Sequence, residues 1–103
     1  MQDLATRISV QPGRVVVSLS GCLDVWHIPA LAESLCHAVD LAPDEIVVDC
    51  AGLVFVDAAA RRFLNRLGIL APLDHVRVVV VRVPPAIKRR WEQVGLTRVL
   101  DVK

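Results

Sequence analysis

Runs of β-branched residues alternate with stretches of helical periodicity along most of this chain, and that alternation constrains the fold more than any other feature. Three such runs, Arg14–Ser20, Glu45–Cys50 and Val76–Val83, are predicted to be strands. Helical segments follow each of them, with apolar residues three or four positions apart. Because a strand, a helix and a further strand in one sheet require parallel pairing, the sequence predicts an α/β domain.

The start of the chain adds an antiparallel hairpin to this sheet. Residues 4 to 10 alternate weakly, Gln11-Pro12-Gly13 is typical of a turn, and Gly21 is predicted to end the second strand. Cys22–Val25 is predicted to form a short separate extended piece, and Leu96–Val102 a last edge strand. The predicted sheet is therefore mixed, with helices packed against it.

Three amphipathic helices are predicted to cover the sheet. The first has Pro29 in its first turn and ends near Ala42-Pro43, the second follows Asp57 as its N-cap, and the third starts at Pro84-Pro85 with Gly95 as its C-cap. Ala51-Gly52 is predicted to break the regularity of the strand that precedes the second helix, before a second apolar stretch, Leu53–Val56. The positions predicted to face the sheet are Ile28, Leu31, Leu35, Val39, Ala60, Phe63, Leu64, Leu67, Ile87, Trp91 and Val94.

Size and charge limit the classes of function. The 103 residues are 54% hydrophobic and carry a net charge of +1, which predicts one ordered domain over residues 1–103 without a field that would recruit nucleic acid. The opening residues lack the apolar stretch of a signal peptide, and the longest aliphatic run, Val78–Val81, is too short to span a bilayer. We expect a cytoplasmic protein without direct membrane insertion.

The sequence carries no pattern typical of catalysis. It lacks the nucleotide-binding, nucleophile-elbow and zinc-protease motifs, and its three histidines have no metal-ligand spacing. Cys22, Cys36 and Cys50 have no C-x-x-C spacing and are predicted to be buried thiols. The basic cluster Lys88-Arg89-Arg90 is interpreted as the solvated face of a helix. We therefore expect no enzyme activity, no metal and no cofactor.

Three motifs, in order, resemble one known family. Gly21-Cys22-Leu23-Asp24 precedes Pro29 and Leu31, the run Val47–Asp57 reads VVDCAGLVFVD, and Pro85–Arg89 precedes Gly95-Leu96. Together they are similar to the STAS domain, which occurs in bacterial anti-sigma factor antagonists, stressosome proteins, tails of sulfate-type anion transporters and a small subunit of lipid-transport ABC systems. The resemblance covers nearly the whole chain. It implies a STAS-like fold whose final helix is absent or truncated, because the chain stops at Lys103.

The resemblance also implies a site at the start of the second helix. In antagonists of the family, the Asp that matches Asp57 is followed by a Ser or Thr that a partner kinase phosphorylates. Here that position is Ala58, and the next residues are Ala59 and Ala60, so no hydroxyl is available. Cys22 stands where the family often has Glu, and His27 stands where a Thr would cap the first helix. The resemblance thus implies a binding face without its phosphorylation switch.

Three hypotheses follow. The first is a non-catalytic regulator that binds an anti-sigma factor or serine-kinase-type regulator. The residues expected to form its binding face are Asp24, Trp26, His27, Asp57, Ala58, Ala59, Arg61 and Arg62. The second is a STAS subunit or cytoplasmic domain of a membrane transporter, of the lipid-transport ABC or anion type. The third is a small-ligand sensor with Trp26 or Trp91 lining its pocket, of which Trp26 is expected to be exposed and Trp91 to lie in the core.

Overall fold

A five-stranded mixed sheet forms the centre of the molecule in a computed structural model that describes residues 3–70, 76–93 and 101–102. Its strands are β1 (Ala5–Gln11), β2 (Arg14–Leu23), β3 (Glu45–Val56), β4 (Arg77–Val81) and β5 (Asp101–Val102), and their order in the sheet follows the chain. β1 pairs with β2 antiparallel, and all later pairs are parallel. The predicted α/β fold with a mixed sheet is confirmed.

Three helices connect the parallel strands. They are α1 (Ile28–Asp40), α2 (Ala58–Leu70) and α3 (Pro85–Gln93), and a 3₁₀ turn at Val25–His27 leads into α1. Right-handed crossovers between strands that follow one another in a single direction put successive helices on the same side of the sheet. The core agrees, since buried residues of α1 and α2 pack in one cluster with the same face of the sheet, and Ile87 of α3 packs against that cluster.

The core is the face that the sheet shares with the helices. Alternate residues of β2 and β3 point into it, as the two-residue period of a strand requires. Its fully or almost fully buried members are Val15, Val17, Leu19, Leu23, Leu31, Leu35, Ala38, Ile46, Val48, Cys50, Leu53, Ala60, Leu64 and Val80. The opposite face carries Val47 and Val79, together with an ion-pair ladder in which Glu45 contacts both Arg14 and Arg77.

The inward face of α1 was predicted wrongly at one position. Val39 is 37% exposed, whereas its neighbour Ala38 is fully buried. Leu31, Leu35 and Ala38 form one stripe because their spacing returns to nearly the same angle, while Val39 lies about 80° away from Leu31 around a helix of 3.6 residues per turn. The larger side chain therefore points outward, and the alanine lets the helix approach the sheet.

The predicted end of β2 at Gly21 is wrong, because the strand continues through Gly21 to Leu23. The predicted irregularity at Ala51-Gly52 is confirmed as a register shift, but β3 is longer than predicted and runs on to Val56. The pairing of β2 with β3 absorbs both places as register shifts, between Ser18 and Ser20 and between Gly21 and Cys22. Gly21 has φ +93, and a Cβ on it would lie 2.1 Å from the backbone oxygen of Asp3. Glycine here permits a bulge and a close approach instead of ending the strand.

The cysteines differ from the prediction at Cys36. Cys22 and Cys50 are buried, but Cys36 is exposed on α1. Burial, with the negative charge of Asp49 beside it, raises the pKa of Cys50 to about 12. The predicted inward positions of the Leu67 and Trp91 side chains, and of Val94, lie outside the described part of the structure, as do the Gly95 cap and the first five residues of the predicted last strand.

Candidate functional site

Asp57 joins two segments that are far apart in the sequence. Its Oδ1 accepts a hydrogen bond from the amide of Ala60 at 2.8 Å, which is the N-cap contact predicted for α2. Its Oδ2 accepts a second bond, at 3.0 Å, from the amide of Val25 in the 3₁₀ turn. The Asp57 amide in turn donates to the carbonyl of Leu23 at 3.1 Å. One residue thus caps a helix and holds the β2–α1 connection against that helix.

Asp24 orders the 3₁₀ turn itself. Its Oδ1 accepts a hydrogen bond of 3.0 Å from the amide of Trp26, and the amide of His27 donates to its backbone carbonyl at 3.0 Å. The residue is only 7% exposed. Asp24, which was predicted to belong to a binding face, is thus buried beneath the exposed 3₁₀ turn.

His27 lies between two carboxylates. Its Nδ1 is 2.7 Å from Asp24 Oδ1, a close contact whose angles do not meet those of a hydrogen bond, and its Nε2 is 3.7 Å from Asp3 Oδ1. Its side chain makes no capping bond to α1, whose first turn contains Pro29 as its second residue, a residue that needs no N–H partner. His27 is therefore half-buried beside Asp24, and it occupies the N-cap position of α1 without capping the helix through its side chain.

An exposed surface results from this arrangement, and we call it the docking face: Val25, Trp26, Ala58, Ala59, Arg61 and Arg62. Trp26 is 85% exposed, as predicted, and it lies outside both grooves described below. Ala58 and Arg62 are exposed, whereas Ala59 and Arg61 are half-buried. The bond between Val25 and Asp57 brings the turn and the start of α2 together. Val25 belongs to this face although the sequence prediction did not include it.

A groove borders the docking face and was not predicted. It has a volume of about 160 Å³. The residues lining it are Val54, Phe55, Val56, Arg61, Ala86, Ile87 and Arg90. The pairing of β3 with β4 stops at Asp49 and Val81, so the last seven residues of β3 extend past the end of its neighbour. The only signal in the sequence is that difference in strand length, and it depends on where β4 stops.

A second groove, of about 420 Å³, lies on the face of the sheet away from the core helices. It contains an ion pair in which Arg82 donates to both carboxylate oxygens of Asp49. Burial on its own raises the pKa of Asp49, but the hydrogen bonds from Arg82 and from the Ala51 amide, together with the charge of Arg82, outweigh it and hold that pKa below its ordinary value. Because Asp49 occupies the guanidinium, we interpret this pair as structural.

Metal-ligand clusters and membrane-spanning helices are both missing from the part of the chain that the structure describes. Within residues 3–70, 76–93 and 101–102, no three His, Cys, Asp or Glu side chains come together as metal ligands would. Among the helices that the structure describes, none has the length and apolar character needed to cross a bilayer.

Comparison with known proteins identifies relatives in sequence and in structure. A family model described as "Mlab, STAS domain" matches residues 6–101. An anti-sigma factor antagonist from Mycobacterium paratuberculosis is 25% identical, with a TM-score of 0.79 over 97% of this chain and 85% of that one. RsbS from Moorella thermoacetica is also 25% identical, with a TM-score of 0.78 over 95% of this chain and 85% of that one.

A more distant structure has the same fold. The anti-sigma factor antagonist SpoIIAA in its unphosphorylated form is 19% identical, with a TM-score of 0.72 over 96% of this chain and 88% of that one. At that identity the likeness concerns the fold alone. A comparison with proteins of curated function finds no match.

Proposed function

Because the chain belongs to the STAS domain family, we propose that it is a non-catalytic regulatory domain that binds another protein through the docking face, as an anti-sigma factor antagonist would. The observation that carries the proposal is the pair of hydrogen bonds that the Asp57 carboxylate accepts. They hold an 85% exposed tryptophan beside the exposed start of α2. Tryptophan and arginine are the residue types most enriched at the centres of protein interfaces. A surface that combines them and is fixed by the carboxylates of Asp24 and Asp57 is preorganised for a partner.

The residues of this surface divide into two roles. Trp26, Ala58, Ala59, Arg61 and Arg62 provide contact area and positive charge. Asp24 and Asp57 act as positioning residues, because their carboxylates accept the hydrogen bonds that order the turn and cap α2, and the half-buried His27 side chain lies against Asp24. Loss of a positioning residue is therefore expected to weaken binding by displacing the contact residues.

The proposed domain has no phosphorylation switch at this surface. Ala58, Ala59 and Ala60 carry no hydroxyl, so a kinase partner has nothing to modify at the start of α2. In that case, abundance or competition between partners sets how much complex forms in the cytoplasm. We propose an anti-sigma factor or a serine-kinase-type regulator as the partner. A phosphate on Ser20 or Ser34 that weakens binding would contradict the unswitched form of this proposal.

The second candidate is a STAS subunit or cytoplasmic domain of a membrane transporter. The absence of hydroxyls from Ala58, Ala59 and Ala60 supports it, because a helix start that cannot be phosphorylated suits a permanent subunit contact as well as a regulated one. In this case the docking face would contact an ATPase or a transmembrane domain. The two candidates differ in the protein that the domain captures.

Baits prepared from the wild-type chain and from an Asp57→Arg, Ala58→Glu double variant test the proposal in lysate of the source cell. A matched control is Asp40→Arg, Cys36→Glu, which makes the same charge changes at exposed positions of α1. We expect wild type and control to capture the same anti-sigma or kinase-like regulator, and the docking-face variant to lose it while circular dichroism stays native. Transporter components would favour the second candidate. Equal capture by all three baits would show that the interface lies elsewhere.

A further inference from the structure

The groove beside the docking face, which we call the basic groove, has an apolar floor. Val54 is 64% exposed and Phe55 41% exposed at the end of β3, and Ile87 of α3 packs partly against the core across from them. Large apolar side chains at the surface that line one concave site are typical of interaction sites. The groove holds about 160 Å³, well below the roughly 300–1,000 Å³ of pockets for drug-sized ligands. It therefore suits a single side chain of a partner better than a cofactor.

The walls of the basic groove are positively charged. α2 carries three arginines and no acidic residue, while α3 carries three basic residues and one acidic residue, Glu92. These two helices contain half of the 12 lysines and arginines in a chain whose net charge is only +1. Positive charge is thus concentrated around this site, and a partner surface of opposite sign would be attracted to it.

Arg61 supplies a more local indication of the same chemistry. Its Nε is buried and has no hydrogen-bond partner within the described residues. Because that nitrogen is closed to solvent, a partner's carboxylate would pair with the terminal nitrogens of the half-buried guanidinium, which offer two N–H donors. Arg61 lines the basic groove and also belongs to the docking face, so a carboxylate that binds it would lie at the junction of the two surfaces.

We propose that the basic groove binds an acidic, amphipathic segment of the partner protein. One apolar side chain of that segment inserts between Phe55 and Ile87, and flanking carboxylates pair with Arg61 and Arg90. The inference rests on the proposed function, because it specifies the chemistry of the partner. A narrow apolar floor disfavours nucleic acid, whose phosphates are bound by broad polar surfaces.

A random twelve-residue peptide display library, selected on the immobilised wild-type chain, tests this proposal. Enriched peptides are synthesised with a fluorophore, and their Kd is measured by fluorescence anisotropy. We expect enrichment of Asp or Glu beside Leu, Met or Phe. Val54→Glu and Arg90→Glu should each weaken binding by at least about tenfold, as for loss of an interface hot spot. Both positions are exposed, so the variants are expected to fold, and circular dichroism checks this.

Arg89→Glu is the matched control, because it makes the same charge change on α3 at an exposed residue outside the groove lining. It should alter the Kd by less than about twofold, since surface substitutions away from specific contacts have small effects. An equal loss with Arg89→Glu and Arg90→Glu would overturn the proposal in favour of unspecific charge attraction. Selected peptides without acidic residues, or no selected peptides, would overturn it as well.

Oligothymidylate and vesicles of phosphatidylglycerol form the other arms of the experiment. If either binds with the same dependence on Val54 and Arg90 while acidic peptides do not, the partner class is wrong. The captured regulator distinguishes this inference from the proposed function. Loss of capture with the Asp57→Arg, Ala58→Glu variant but not with Arg90→Glu refutes the basic groove alone. Capture that none of these variants reduces refutes the docking face too.

Discussion

At the scale of single residues, Asp57 is the most informative position in the chain. The sequence predicted its N-cap role, because a helix cap depends only on the few residues that follow it. The second bond, to the amide of Val25 thirty-two residues earlier, could not be predicted in the same way. That bond exists because the ends of β2 and β3 lie side by side, as the pairing of Leu23 with Val56 requires.

Replacement of Asp57 by alanine should lower the free energy of unfolding by about 1–2 kcal/mol, the upper part of the range for lost caps, because two backbone amides lose their acceptor. Asp57→Asn keeps an oxygen for the Ala60 amide and should cost less than the alanine variant. Urea denaturation followed by circular dichroism measures both. Equal stability of wild type and Asp57→Ala would contradict the junction role.

Asp49 predicts how stability depends on pH. Its pKa is lowered in the folded state, so its contribution to stability is present above the unfolded-state pKa of about 3.9 and is lost as pH falls through the lower folded value. We expect the free energy of unfolding to decline below about pH 4, and Asp49→Asn to remove part of that decline. The effect should be modest, since the Arg82 side chain is 69% exposed and screened by solvent. Urea denaturation at several pH values measures this. If the ion pair were unimportant, the free energy of unfolding of Asp49→Asn would depend on pH as that of wild type does.

The three thiols should react with an alkylating reagent at different rates. Cys36 is exposed, whereas Cys50 is buried and its pKa is raised to about 12, so little of it is thiolate at neutral pH. Mass spectrometry after brief exposure to iodoacetamide at pH 8 should find Cys36 modified and Cys50 intact until denaturant is added. Early modification of Cys50 under native conditions would mean that the core opens there.

At the scale of elements, the sequence was sufficient to predict which strands and helices exist, but not where each of them begins and ends. Strand periodicity and valine content predicted β2, β3 and β4, and helical spacing predicted all three helices. Two of the errors in strand length arose from glycine, because Gly21 and Gly52 resemble strand ends locally. A Cβ on Gly52 would lie 2.6 Å from Ser20 Cβ, so this glycine serves close packing between strands, a contact that only the assembled sheet contains.

The candidate site was also predictable only in part. The docking face follows from neighbours in the chain, such as Trp26 after Asp24 and Ala58 after Asp57. The basic groove depends on how far β3 extends past β4 and on where α3 lies, neither of which has a local signature. A loop or cap is encoded locally, whereas a groove between elements is a property of their relative lengths.

Ala58→Glu should separate the stability of α2 from its binding. A negative charge in the first turn of a helix interacts favourably with the helix dipole, by about 0.3–1 kcal/mol. The same charge beside Arg61 and Arg62 places an acidic group where we propose that the partner binds. We therefore expect a stability equal to or above that of wild type, together with weaker partner binding. Ala58→Gln, similar in size and uncharged, is the control, and it should bind more tightly than the glutamate variant.

At the scale of the whole molecule, both proposed binding surfaces lie at one edge of the sheet. The parallel strands β2 and β3 end where α2 begins, so the docking face and the basic groove lie together at the carboxyl ends of the strands. In open α/β sheets, this edge is where loops can vary without disturbing the core. The antiparallel strand β1, exposed along its length, lies at one side of the sheet and has no proposed role in binding.

The most direct test of the central claim is a ¹H–¹⁵N NMR titration of the labelled chain with the regulator that the wild-type bait captures. We predict that the amide signals that shift or broaden most belong to Val25–His27 and Ala58–Arg62, with few changes in β1 or on the outer face of α1. Changes concentrated in β1, or at Cys36 and Asp40 on α1, would contradict the account. They would show that the partner binds a surface that Asp57 does not organise.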